Sequence, residues 1–167
     1  MAVDVFVSHE FHAYLIAQGV GQDGNATPST TIPSIWLQPD APRPRKQGGT
    51  WLENATITLV PVVISGPPGL EDQLEEAFVE VRVRAVKMPT AMLIHRVIKG
   101  LIVPEGANGG QRQLWTMNTL LVEYSRIWRG EQDVPSAPDD EDRVYTRTAS
   151  YCFGCRRKAL RGLPYAD

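Results

Sequence analysis

Val79, Val81, Val83 and Ala85 alternate with Glu80, Arg82 and Arg84, a period of two that gives a strand one apolar and one charged face. The period changes at Met88-Pro89-Thr90, after which Ile94, Val97, Ile98 and Leu101 recur at helical spacing. Beyond a Gly/Pro-rich break over 104–110, Leu114 to Trp128 reads as one long strand, with Leu120, Val122 and Tyr124 on one face. Upstream, Asp4 to Gln18 reads as a helix with Val7, Phe11, Tyr14 and Leu15 as its stripe. Asp4 or Ser8 is expected to cap its start, and Gly19 and Gly21 to end it. Ile32 to Gln38 is a short strand closed by Pro39. Asn54 to Ile64 is a β-branched strand in which Pro61 predicts an edge or a bulge. Val144 to Phe153 is the last strand, with Tyr145, Ala149, Tyr151 and Phe153 opposite Thr146, Thr148 and Ser150.

The segments between read as connections. Gly21 to Thr31 is polar, and Ala41 to Thr50 is basic and stiffened by proline. Ser65 to Gly69 is a turn, and Glu71 to Glu76 an acidic lead-in to the following strand. Gly130 to Asp142 carries six acids and no basic residue, and is expected to be an extended acidic hairpin loop. The predicted order, α-β-β-β-α-β-β, implies an α+β fold: an antiparallel or mixed sheet of about five strands with two main helices packed on one face. No repeat or internal boundary interrupts residues 1–154, read as one domain, and 155–167 form a basic C-terminal tail.

Composition narrows the function classes. The 167 residues are 43% hydrophobic and 22% charged, the balance of a folded globular domain. A formal net charge of −2 gives no global attraction to nucleic acid or to a membrane surface. No apolar run approaches the roughly 20 residues needed to span a bilayer. Met1-Ala2-Val3-Asp4 has neither a basic segment nor an apolar core, so the N-terminus reads as unprocessed and the Asn-Ala-Thr sequons at Asn25 and Asn54 as chance.

Motifs that carry chemistry are weak. Cys152 and Cys155 form a single C-x-x-C after a strand, half a zinc site at best and not at the helix start a thioredoxin-like motif needs. Gly19-Val20-Gly21-Gln22-Asp23-Gly24 matches G-x-G-x-x-G, but a helix precedes it and no helix follows, so it reads as a helix C-cap plus loop. His9 and His12 lie three apart without a third ligand, and His95 sits beside the second helix's stripe; all three read as exposed or half-buried helix residues. Neither Gly-x-Ser-x-Gly nor a Ser-His-Asp pattern is present. The reading is a non-enzymatic protein with no cofactor and no metal.

Charge is segregated instead. Arg43, Arg45 and Lys46 form one basic cluster, and Arg156, Arg157, Lys158 and Arg161 another. Asp139, Asp140, Glu141 and Asp142 form the acidic counterpart, while Arg82 and Arg84 occupy the polar face of a strand. In a head-to-tail ring one subunit's positive segment meets its neighbour's negative one, so these residues are the candidate interface, with Arg82 and Arg84 lining a lumen. Two rival readings use the same residues. One is a single-strand nucleic-acid module built on these arginines and on Trp36, Trp51, Trp115 and Trp128. The other is a small redox or zinc protein centred on the cysteine pair.

The order of elements resembles the tail terminator proteins of long-tailed, siphovirus-like bacteriophages. It is carried by an opening helix containing Phe11-His12-Ala13-Tyr14-Leu15, the strand Ile35-Trp36-Leu37-Gln38-Pro39, the strands Ala55 to Val63 and Val79 to Val86, the helix to Leu101 and the closing strand pair. The resemblance spans roughly Ser8 to Phe153 and rests on element order and size. It implies a compact α+β subunit of a homohexameric ring that ends the tail tube and joins it to the head–tail connector. The partners it implies are the tail tube protein, a head-closure protein and packaged DNA passing through the lumen, with no membrane; the location is the tail–neck region of a virion assembled in the host cytoplasm. A head-closure (stopper) protein, a connector-completion protein or a tail tube subunit shares the same size and texture. The acidic loop and the basic tail have no counterpart in that pattern.

Overall fold

The structure, a computed structural model, describes residues 3–37, 43–62, 74–104, 110–135 and 143–156. In chain order its elements are α1 (Val3–Ala17), β1 (Gln22–Asp23), β2 (Ser34–Trp36), β3 (Lys46–Gln47), β4 (Thr50–Trp51), β5 (Ala55–Val62), β6 (Leu74–Ala85), α2 (Met88–Ile102), β7 (Gln111–Met117), β8 (Leu120–Val134) and β9 (Tyr145–Arg156). The class is α+β with two helices and a mixed sheet, as expected, but the sheet has seven strands rather than about five, in the order β1-β2-β5-β6-β9-β8-β7. β1, β2 and β5 run parallel, and the remaining pairs are antiparallel. None of the described helices is long and apolar enough to cross a membrane.

The β6–β9 ladder is the spine. Twelve Cα pairs run without a break from Leu74↔Arg156 to Ala85↔Tyr145. Its alternation works as the sequence implies: Val79, Val81, Val83 and Ala85 are fully buried, while Glu80, Arg82 and Arg84 are half-buried. Phe11 of α1 packs its ring 5.2 Å from Phe153 of β9, and Tyr14 lies 5.1 Å from Trp115 of β7. α2 starts with Pro89 in its first turn, where a missing N–H costs nothing, and buries Ala91, Ile94, His95, Ile98 and Ile102. Its end is held by the sheet: Trp115 Nε1 donates to Ser125 Oγ (3.0 Å), which donates to the Ile102 carbonyl (2.7 Å). Arg112 donates to Tyr14 Oη and to the Leu101 carbonyl, tying both helices to β7.

α1 ends where Gly19 adopts φ +73. Val20 N–H donates to Leu15 and Gly19 N–H to Ile16, the paired bonds of a Schellman motif, which settles the glycine-rich segment as a helix cap. Ser8 does not cap; it lies buried within α1.

The structure departs from the sequence expectations at several points. Leu114 to Trp128 is two strands, not one, turning at Asn118-Thr119. The Glu10 carboxylate of α1 accepts from Asn118 Nδ2, Thr119 N and Thr119 Oγ1, so a tertiary contact fixes a turn that lacks the usual glycine. β8 runs through Val134, so Glu131 and Asp133 belong to a strand; Arg147 on β9 pairs with both and offsets their charge. The polar stretch after α1 contains β1, and the basic loop contains the β3–β4 hairpin, closed by Gly48 and Gly49 at φ +57 and +83. Leu74 to Glu76 already belong to β6, and β9 extends through Cys155 and Arg156. Pro61 lies inside the β5–β6 ladder, but β2 pairs only with Thr56 to Thr58, so the missing N–H falls beyond that partner. On α2, Val97 faces water and His95 is fully buried, the reverse of the expected placement.

Candidate interaction surface

Those sequence-predicted interface residues that the structure describes do not converge. Arg43, Arg45 and Lys46 lie exposed on and beside the β3–β4 hairpin, where Lys46 sits 5.4 Å from the Trp51 ring. Arg82 forms an ion pair with Glu80 two residues away, and Arg84 stands in register with Thr56 and Thr146. Arg156 ends β9 and pairs with Glu123 at 2.6 Å. Asp139, Asp140, Glu141, Asp142, Arg157, Lys158 and Arg161 lie outside the described residues.

The cysteines are separated by geometry. The unbroken β6–β9 register puts positions 152 and 155 on opposite faces of the strand. Cys155 joins the core, while Cys152 lies in register with Phe78. Both are free thiols, and burial pushes each up to about 12, so neither is thiolate at neutral pH. Among the described residues no group of three or more His, Cys, Asp or Glu side chains is placed to hold a metal. The tryptophans are not bare platforms either. Trp115 is buried, and Trp36, Trp51 and Trp128 are half-buried, Trp128 with its ring 4.5 Å from Phe78.

The structure instead draws attention to the outward side of α2, which sequence reading missed. Met88, Met92, Leu93 and Val97 are all exposed there, Leu93 at 61% and Met92 at 46%. Monomeric surfaces scatter large apolar groups singly; a contiguous set marks a contact face. Three hollows border this ridge. One of about 520 Å³ lies towards Ile32, Val20 and Thr31 and has no charged group in its wall. The other two, about 590 and 350 Å³, lie towards β8 and β9 and are bounded by Arg96, Lys99, Glu131, Asp133, Arg143 and Arg147. Leu93 stands on the crest between the uncharged hollow and the charged one.

Under the charged flank lies an ion-pair network. Arg147 donates to Glu131 at 2.6 Å and to Asp133 at 3.1 Å, and Lys99 approaches Glu131 at 4.0 Å. The Arg147 hydrogen bond holds the Glu131 carboxyl below its usual range. Beneath them His95 is fully buried, and neither ring nitrogen makes a hydrogen bond of good geometry. Burial pushes its pKa down against the opposing pull of Glu131, so the ring is neutral at pH 7. The signal for this arrangement was present but split: Val97 read as part of the inward stripe, Met92 and Leu93 carried no reading, and Glu131 and Asp133 of β8 read as loop. No family profile matches the chain, and no curated protein matches it.

Proposed function

We propose that the protein is a non-enzymatic structural component of a phage virion: a tail terminator that closes into a homohexameric ring on the last tail-tube ring. One rim of that ring meets the tail tube protein and the other the head–tail connector, and packaged DNA passes through the lumen. No cofactor takes part. The observation that carries the reading is the apolar crest of α2, with Met92, Leu93 and Val97 held in water between hollows. A folded chain keeps such a face for a partner. The order of elements from Phe11 to Phe153 supplies the class of partner, through its resemblance to tail terminators. In this reading both helices pack on one face of the sheet, joined through Arg112 to Tyr14 and Leu101.

Light scattering on the purified protein, with negative-stain images of the same sample, tests this. The expected result is a particle of six times the 18.5 kDa chain, seen as a ring with a central hole. A monodisperse monomer that also fails to cap tail tubes would overturn it.

A further inference from the structure

Three of the four methionines lie among the described residues, and they divide by exposure. Met117 on β7 is fully buried, whereas Met88 and Met92 on α2 are 43% and 46% exposed. Met88 and Met92 stand four residues apart, so their side chains share one face of the helix. Both line the hollow of about 350 Å³ between the start of α2 and the adjoining ends of β8 and β9. Exposure makes a thioether a reagent as well as an apolar group. A peroxide oxidises methionine where it leaves other apolar side chains intact, and the sulfoxide formed is polar and chiral. Neither sulfur belongs to the buried stripe of α2, which runs through Ala91, Ile94, His95, Ile98 and Ile102, so oxygen can be added there without opening the core. Cys152 and Cys155, the other sulfur groups, are both buried and do not compete for the oxidant.

The rest of the hollow suits the oxidised product. Its wall carries the Arg143 guanidinium and the hydroxyls of Tyr145 and Thr146, all of them donors. Arg143 takes part in none of the described ion pairs, and Asp133, on the same wall, is held by Arg147 at 3.1 Å. A thioether sulfur is a weak acceptor and leaves those donors to water, whereas a sulfoxide oxygen can accept from them. We propose that Met88 and Met92 form an oxidation site, at which a peroxide turns the solvent side of α2 from apolar to polar while the fold is kept. At each residue a sulfur lone pair attacks one peroxide oxygen and the O–O bond breaks. The sulfur gives up two electrons in the new S–O bond, and the departing oxygen takes the remaining proton of the transferred one and leaves as water. Oxidation of a free chain then withholds it from assembly. That consequence rests on the association proposed above; the site itself does not.

The test uses the full-length wild type and a Met88→Leu/Met92→Leu variant, which keeps size and apolarity. Both are treated with hydrogen peroxide at a dilution where wild type is monomeric. Peptide mass spectrometry reads each methionine, and far-ultraviolet dichroism reads the fold. Met88 and Met92 are each expected to gain one oxygen about tenfold faster than Met117, with the dichroism unchanged. Equal rates at all three, or loss of the helical signal as Met88 and Met92 react, overturn the site. Mass against concentration then reads the consequence. Oxidised wild type is expected to associate about tenfold more weakly than untreated protein, and the treated double variant as strongly as before. Undiminished association of the oxidised wild type, or an equal loss in the treated variant, overturns the regulation. A wild type that never associates, yet oxidises at Met88 and Met92 ahead of Met117, overturns the proposed assembly and its regulation and upholds the site.

Discussion

The two helices have the same length, 15 residues, and opposite relations to water. On α1 the buried positions Phe6, Val7, Ser8, Glu10, Phe11, Tyr14 and Leu15 sweep roughly 200° of the helix at about 100° per residue. On α2 the buried set Ala91, Ile94, His95, Ile98 and Ile102 occupies only about 100° at the same spacing. Apolar side chains continue round α2 into solvent, whereas none of the described large apolar side chains of α1 is exposed. α1 is spent on folding. α2 is divided, one stripe holding the sheet and the other leaving Met88, Met92, Leu93 and Val97 in water. Apolar content alone does not distinguish these roles; the breadth of the buried arc does.

Truncations on the inner faces of the two helices should have the largest effects. Phe11→Ala removes a fully buried ring from the contact with Phe153 and should cost about 3–5 kcal/mol. Ile98→Ala on the inner stripe of α2 should cost about 2–5 kcal/mol. Urea denaturation under dissociating conditions measures both. A loss below about 1 kcal/mol at Ile98 would mean that α2 is not docked through this stripe.

A smaller effect separates the helices by pH. His95 is buried neutral, so the folded state resists its protonation while the unfolded chain accepts a proton near pH 6.5. Its contribution is therefore full above about pH 6.5 and is lost as pH falls from there towards the depressed folded value, with a slope of at most about 1.4 kcal/mol per pH unit. Glu131 adds a loss of the same sign, but only as pH falls below its own ordinary value of 4.5. The expected signature is a decline in stability between pH 6.5 and 5 that His95→Leu flattens. Hydrogen exchange should place the opening at α2, and a decline that persists unchanged in His95→Leu would assign it to another group.

Much of this was legible in the chain, and the reasons for the rest are physical. Strict alternation over Val79 to Ala85 and the Met88-Pro89 switch are local signals, and local structure follows them. The Asn118-Thr119 turn was hidden because its stabilising group, the Glu10 carboxylate, sits 109 residues away from Thr119. The acids at Glu131 and Asp133 read as loop because their neutralising partner, Arg147, arrives from the next strand. Val97 and His95 exchanged places because a helical stripe about 100° wide admits more than one phase, and His95 counts as polar in any pattern. Charge clusters were the visible features and supplied the candidate site, yet among the described residues Arg43 to Lys46, Arg82 and Arg84, and Arg156 lie on or beside separate elements. The α2 crest was unremarked because an apolar residue in water looks the same in sequence as one in the core.

The smallest expected effect is the most discriminating. Leu93→Ala removes more side chain than many core substitutions, but Leu93 stands on the crest, 61% exposed in the isolated chain. Little surface returns to water when it is truncated, and alanine is a good helix former, so stability under dissociating conditions should change by less than about 0.5 kcal/mol. Five residues further along, Ile98→Ala is of similar chemistry and should be several-fold more costly. If the chains associate through this crest, the order reverses in the association constant, where Leu93→Ala should weaken assembly and Ile98→Ala should act only through folding. Paired measurements of unfolding and of mass against concentration separate the two faces of α2. Equal folding losses at Leu93 and Ile98 would show that the helix has one role and not two.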